Sequence, residues 1–219
     1  MRSLLVISAG LSQPSSSRKL ADRLAEATRA KICARGEGTR VDVIEIRDLA
    51  GELATAMTDW SAQTPLLAKA KHLVAHADGL IAVTPVFQGS YSGLFKMFFD
   101  TLEPGALDGL PTIIAATAGS SRHSLILDYA LRPLFNYLHA NVVPTGVFQA
   151  AEDFGTPEGD RIATRIERSA NQLADQIVAP RDRVTGIAED FSNQGGRPPA
   201  ALSKDSFIPL EQLLNGYEK

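Results

Sequence analysis

Short apolar segments alternate along this chain with longer stretches in which apolar residues recur at helical spacing. Five segments have the pattern of strands, being either apolar throughout or alternating and rich in β-branched residues. They lie at 4–8, 40–46, 80–83, 111–116 and 142–148. The helical spacing predicts helices that start near 15–17 and that cover 66–77, 93–100, 123–140 and 159–178.

Strands that alternate with helices predict an α/β fold, a doubly wound five-stranded parallel sheet with helices on both faces. The flavodoxin-like strand order 2-1-3-4-5 puts the switch point between strands one and three, where such folds bind ligands. Residues 1–178 are expected to form this domain. Within it, 50–64 is expected to be irregular, and Pro133 is expected to kink or restart a helix.

The composition changes after residue 178. Residues 179–219 are rich in Gly, Pro, Ser and charged residues, which predicts a C-terminal extension that is partly extended. The exception is 207–214, FIPLEQLL, with five large apolar residues in eight positions. We expect this segment to dock on a neighbouring subunit or beside the ligand site.

Charge and cysteine content narrow the function classes. The formal net charge of the 219-residue chain is −3, which does not favour binding to nucleic acid or to an anionic membrane. No apolar stretch has the length of a membrane span. The single cysteine, Cys33, excludes an internal disulfide and fits a reducing cytoplasm. His72 and His76 have zinc-like spacing, but no third ligand is placed beside them, so they are interpreted as surface or interface residues.

The first strand is followed by a loop rich in serine, with Ser8 at its start and Gly10 at the turn. Ser15, Ser16 and Ser17 stand at the predicted start of a helix, where free N–H groups and hydroxyls suit a phosphate. The alternative is a serine that only caps the helix. The Walker and G-x-G-x-x-G spacings do not occur here, which disfavours ATP and a Rossmann dinucleotide.

The loop predicted at 84–92 follows the third strand and suits a flat ring. Phe87 and Tyr91 offer apolar walls, while Gly89 and Ser90 allow a close approach of backbone N–H groups. The alternative is an ordinary connection between a strand and a helix.

Three segments together resemble the NADPH-dependent FMN reductase family of flavodoxin-like proteins: SAGLSQPSSSRKLADRL, TPVFQGSYSGLFKMFFD and TAGSSRH. The resemblance covers roughly 1–178 and looks most like the actinobacterial branch that supplies reduced flavin to luciferase-like monooxygenases. It implies an NAD(P)H:FMN oxidoreductase with no catalytic side chain, because the flavin carries the chemistry. By resemblance, the FMN phosphate binds at Ser8, Ser15, Ser16 and Ser17, the ring at Pro85, Val86, Phe87, Gln88, Gly89, Ser90 and Tyr91, and its pyrimidine side at Thr117, Ala118, Gly119 and Ser120.

The resemblance also leaves alternatives open. A reductase of quinones, azo dyes or metal ions with tightly held FMN has the same motifs, and a flavodoxin-type electron carrier shares the fold. The expected partners are FMN, NADPH or NADH, and a flavin-dependent monooxygenase, in a homodimer or homotetramer. Many relatives carry an Arg within the first loop, whereas Arg18 follows the serines here, which leaves its contact with phosphate open. Arg122 and His123 either meet the 2′-phosphate of NADPH or start a solvated helix.

Overall fold

The computed structural model describes residues 1–59, 61–153 and 156–178, so the predicted extension 179–219 and its segment 207–214 lie outside the described residues. One seven-stranded sheet runs through the described part. Its strands are β1 Arg2–Ser8, β2 Thr39–Glu45, β3 Gly79–Phe87, β4 Ser90–Tyr91, β5 Pro111–Ala118, β6 Asn141–Val142 and β7 Val147–Ala150. The helices are α1 Ser16–Cys33, α2 Ala50–Thr58, α3 Pro65–Ala75, α4 Gly93–Asp100, α5 Arg132–Tyr137 and α6 Pro157–Val178.

The sheet has the order β2-β1-β3-β5-β6, with β7 also paired to β5 and β4 paired to β3. This is a flavodoxin-like arrangement of seven strands that is parallel except for β4. The predicted five strands in the order 2-1-3-4-5 therefore need two corrections. The predicted fifth strand is split into β6 and β7, which both pair with β5. Pro144 lies between them and has no N–H to donate to a strand ladder.

The second correction concerns the segment predicted as a loop at 84–92. β3 continues to Phe87, and β4 pairs with it in antiparallel register through Val86↔Tyr91 and Phe87↔Ser90. The two turn residues, Gln88 and Gly89, have φ angles of 50° and 79°. Positive φ at both central residues is what a two-residue type I′ hairpin turn requires.

The helix predictions are confirmed for α1, α3, α4 and α6. The predicted helix 93–100 is α4, and Ser15 caps α1 as its local sequence suggests. The segment expected to be irregular instead contains α2, in which only Leu53 is buried, so it lacks the repeated apolar positions that predict a helix. The predicted helix 123–140 is broken into a 3₁₀ turn, a π turn at Leu127–Leu131 and α5, with Pro133 in the first turn of α5.

Apolar side chains pack on both faces of the sheet. One described cluster lies under α1 and α6 and includes Leu24 and Leu173. The other lies under α2 to α5, where the centroid of the Phe95 ring lies 4.7 Å from that of Phe99 and 5.9 Å from that of Tyr91 on the hairpin. This packing holds the ends of β3 and β4 against α4. None of the helices in the described ranges has the length and apolar character needed to cross a membrane.

Candidate functional site

A cleft of about 380 Å³ opens where β1, β3 and β5 end. The loop after β1 lines it with residues 10–12 and 15–17, β3 with 85–87, and the end of β5 with 117–119. Ala151, directly after β7, completes the lining. The cleft therefore lies at the carboxyl edge of the sheet, beside the switch point between β1 and β3.

The structure brings together residues that the sequence placed in three separate motifs. The predicted residues that line the cleft are Ser15, Ser16, Ser17, Pro85, Val86, Phe87, Thr117, Ala118 and Gly119. Ser8 is fully buried at the end of β1. Gln88, Gly89, Ser90 and Tyr91 form the hairpin beyond this lining, and Ser120 follows it in the chain. Leu11 and Ser12 belong to the recognised serine loop, but no signal in the sequence pointed to Ala151.

The start of α1 is arranged to receive an anion. The hydroxyl of Ser15 accepts a hydrogen bond from the Arg18 N–H at 3.1 Å, as an N-cap does. Within the described residues, no acceptor bonds the N–H groups of Ser16 and Ser17. Because the first N–H groups of a helix have no partner within the helix, these two are available to phosphate oxygens.

Gly10 is required by the close approach of the loop to this helix. A Cβ atom at Gly10 would lie 1.9 Å from the Ser15 hydroxyl oxygen, closer than any real contact allows. A side chain at this position would therefore push the loop away from the start of α1 and reshape the anion site.

The hydroxyl of Ser8 is buried and has no hydrogen-bond partner in the described part of the chain. Buried polar groups normally have a partner, and an unpaired one costs stability. An acceptor bound above the end of β1, such as a phosphate oxygen, would satisfy it. The donors present at this end of the cleft thus fit the phosphate of FMN.

An apolar surface adjoins the anion site. The Phe87 side chain is 45% exposed, and Pro85 and Val86 are half-buried. The buried hydroxyl of Thr84 donates to the Pro85 carbonyl at 2.9 Å and accepts from the Ser92 N–H at 3.1 Å, which ties β3 to the start of α4. The apolar wall therefore rests on a fixed backbone.

Two carboxylates bind the guanidinium of Arg18. Its Nε donates to Asp22 at 2.7 Å, and its Nη1 donates to Glu45 at 2.5 Å. The hydrogen bonds to Glu45 and then to Asp22 raise the pKa of Arg18 above its usual value. Both carboxylates already neutralise this guanidinium, and the described residues that line the cleft offer neutral N–H and hydroxyl donors.

The rim after β5 is tied to the end of β7. The backbone N–H of Ser121 donates to Glu152 Oε1 at 2.5 Å. The hydrogen bonds from Ser121 are the main reason that the pKa of Glu152 lies below its usual value, and the charge of Arg122 adds to the effect. Arg122 and His123 are both exposed on this rim.

Comparisons with known proteins show what this chain is similar to. The family model described as NADPH-dependent FMN reductase matches residues 2–155. The chain is 36% identical over 155 residues to FMN reductase (NADPH) of Pseudomonas aeruginosa, which is 70% of this chain and 81% of the relative. It is 40% identical over 172 residues to NADH-dependent FMN reductase SfnE of Pseudomonas putida, which is 77% of this chain and 89% of the relative.

A solved structure is also similar. An oxidoreductase from Corynebacterium diphtheriae shares 57% identity with this chain at a TM-score of 0.79. The match covers 81% of this chain and 97% of that chain.

Proposed function

Because this chain belongs to the NADPH-dependent FMN reductase family, we propose that it transfers a hydride from NADPH or NADH to the N5 atom of FMN in the cleft. The hydride carries two electrons and one proton, so oxidised nicotinamide and reduced flavin result without another reactant. The observation that carries the proposal is the pairing of a neutral anion site with an open apolar wall in one cleft.

The residues divide between the phosphate and the ring. In this proposal the phosphate accepts from the N–H groups of Ser16 and Ser17, from the exposed hydroxyl of Ser16 and from the buried hydroxyl of Ser8. Phe87 and Gly119, which both line the cleft, bound the ring. No side chain acts as a general acid or base, because the flavin supplies the redox chemistry and the protein positions it.

The hairpin and the third loop border the edges of the ring in this proposal. N–H groups near Gly89 and Ser90 hydrogen-bond the ring and stabilise negative charge on the reduced flavin. Residues 117–120 border its pyrimidine side. The hairpin is well suited to hold such donors in place, since β4 pairs with β3 and packs on α4.

We propose further that the protein supplies reduced flavin to a monooxygenase. Among the described residues, the donors that line the cleft are neutral and Arg18 is neutralised by carboxylates. A phosphate held by neutral donors forms weaker bonds than a phosphate paired with a guanidinium. Such a site favours release of FMN. The alternative, a reductase of quinones, azo dyes or metal ions, needs FMN to stay bound through many turnovers.

Gel filtration followed by steady-state assays separates these two functions. We expect the filtered protein to lack flavin and to oxidise NADPH or NADH only when FMN is added. Reduced FMN should then reach a flavin-dependent monooxygenase held behind a dialysis membrane. A protein that keeps its FMN on the column and reduces a quinone without added flavin would establish the alternative.

We propose that the protein is a homodimer or a homotetramer. Leu125, Tyr129 and Tyr137 are large side chains that are each more than 60% exposed along one segment around α5. Replacing Leu125 and Tyr129 by Ser should shift the protein to smaller species in size-exclusion chromatography. Met57→Ser, on the exposed side of α2, is the matched control, and equal elution of all three proteins would refute this surface as the contact.

A further inference from the structure

Arg47 holds the serine loop from the side of β2. Its Nη1 lies 3.3 Å from the carbonyl oxygen of Ser12. With the Gln13 amide oriented to place its oxygen toward the guanidinium, Nη1 and Nη2 lie 3.2 Å and 3.1 Å from that oxygen. One side chain thus contacts two neighbouring residues of the loop that lines the cleft.

Glu45 connects this contact to the start of α1. One of its carboxylate oxygens accepts from Arg18, and the other lies 3.9 Å from the Nε of Arg47. The Glu45 side chain is 12% exposed, so little water competes for it. The end of β2 therefore holds the loop through Arg47 and the first turn of α1 through Arg18.

We propose that Arg47 is a positioning residue for phosphate binding, an inference that rests on the proposed binding of FMN at the serine loop. The guanidinium binds the carbonyl oxygen of Ser12, which would repel a phosphate. This contact keeps that oxygen away from the anion site. The planar fork of arginine suits this task because it donates to two acceptors at fixed geometry. Arg47 acts through the shape of the loop and does not itself touch the phosphate.

The test compares Arg47→Gln and Arg47→Lys with the wild type. Lysine keeps the positive charge but loses the fork, so both variants should weaken FMN binding by about tenfold or more, equivalent to 1.4 kcal/mol. Riboflavin, which has no phosphate, should bind with nearly unchanged affinity. Arg40→Gln removes an exposed guanidinium paired with Asp42 on the same strand and should change neither affinity.

Hydrogen exchange of the ligand-free proteins gives a second measurement. Amides of residues 9–15 should exchange faster in both Arg47 variants, while the sheet should stay protected. Three results would each overturn the proposal: wild-type FMN affinity in Arg47→Lys, equal losses for FMN and riboflavin, or unchanged exchange in the loop. If the wild type binds FMN no more tightly than riboflavin, the proposed phosphate site is wrong. Hydrogen exchange of the loop amides then still decides whether Arg47 holds the loop.

Discussion

The hydroxyl oxygens of Ser17 and Thr117 lie 2.7 Å apart, although 100 residues separate them in the chain. Ser17 is in the first turn of α1, Thr117 is near the end of β5, and both are buried. Their hydrogen bond joins the first turn of α1, directly after the serine loop, to the end of β5, where the third loop begins. The two loops proposed to hold opposite ends of FMN are therefore joined directly.

We predict that Ser17→Ala and Thr117→Val are not additive. Each change removes one of the two buried hydroxyls and leaves the other without its partner. A hydrogen bond of this kind contributes about 1 kcal/mol to stability. The double variant should lose less free energy of unfolding than the two single variants added together, as measured by urea denaturation. Additive losses would show that the two hydroxyls do not interact in solution.

Ser16 offers a cleaner test of the phosphate site than its neighbours. Ser15 caps α1 and Ser17 bonds Thr117, so replacing either also removes a structural bond. Ser16→Ala should lower FMN affinity by about tenfold, because a hydrogen bond to a charged group contributes roughly 1.5–3 kcal/mol.

Riboflavin and a distant hydroxyl provide the controls for Ser16. Riboflavin affinity should be unaffected by Ser16→Ala, and Thr164→Ala on the exposed side of α6 should affect neither ligand. Parallel losses for FMN and riboflavin would place the phosphate away from Ser16.

Gly89 should respond to substitution through its backbone. Its φ of 79° suits the hairpin turn, and no atom lies within 4 Å of a Cβ added there. Gly89→Val should destabilise the hairpin by about 1–2 kcal/mol, since a β-branched residue is strained at positive φ. Gly89→Asn, which tolerates this φ, should keep FMN binding and NADPH oxidation close to wild type. Full activity in the Val variant would show that the hairpin does not border the flavin ring.

Arg122 should favour NADPH over NADH. It is exposed on the rim directly after the third loop, and a guanidinium can form charge-assisted bonds with a 2′-phosphate, which NADH does not have. Arg122→Gln should raise the KM for NADPH several-fold and leave the KM for NADH and both kcat values nearly constant. His123→Gln is the neighbouring control. If Arg122→Gln leaves the ratio of kcat/KM for NADPH to kcat/KM for NADH unchanged, Arg122 belongs to a solvated turn and does not bind the 2′-phosphate.

The Glu152 carboxylate gives a pH dependence with a definite sign. Its pKa in the folded protein is lowered from the ordinary 4.5, so its bond to Ser121 stabilises the rim above that pH and is lost as pH falls through the lower value. The Ser121 amide should therefore exchange its hydrogen faster in Glu152→Gln than in the wild type at about pH 7. This difference should shrink below about pH 4.5. A difference that persists in acid would point to a cause other than ionisation.

Local pattern accounts for much of what the sequence predicted. The run 4–8 lies within β1, and 93–100 coincides with α4, because burial on fixed faces imposes a period that can be recognised in a few residues. The serines at 15–17 marked the start of α1 for the same local reason, since capping involves residues three positions apart. In the sequence, the division of the predicted fifth strand was visible only as a proline, Pro144, that interrupts the strand pattern.

The sequence by itself thus determined the alternation of strands and helices and the three loops that carry the family resemblance. Only the tertiary structure decided that Ser17 meets Thr117, that Ala151 joins the cleft, and that Arg18 turns to Glu45. Each of these contacts joins elements far apart in the chain. Such contacts depend on strand order and register, and no short stretch of sequence contains both partners.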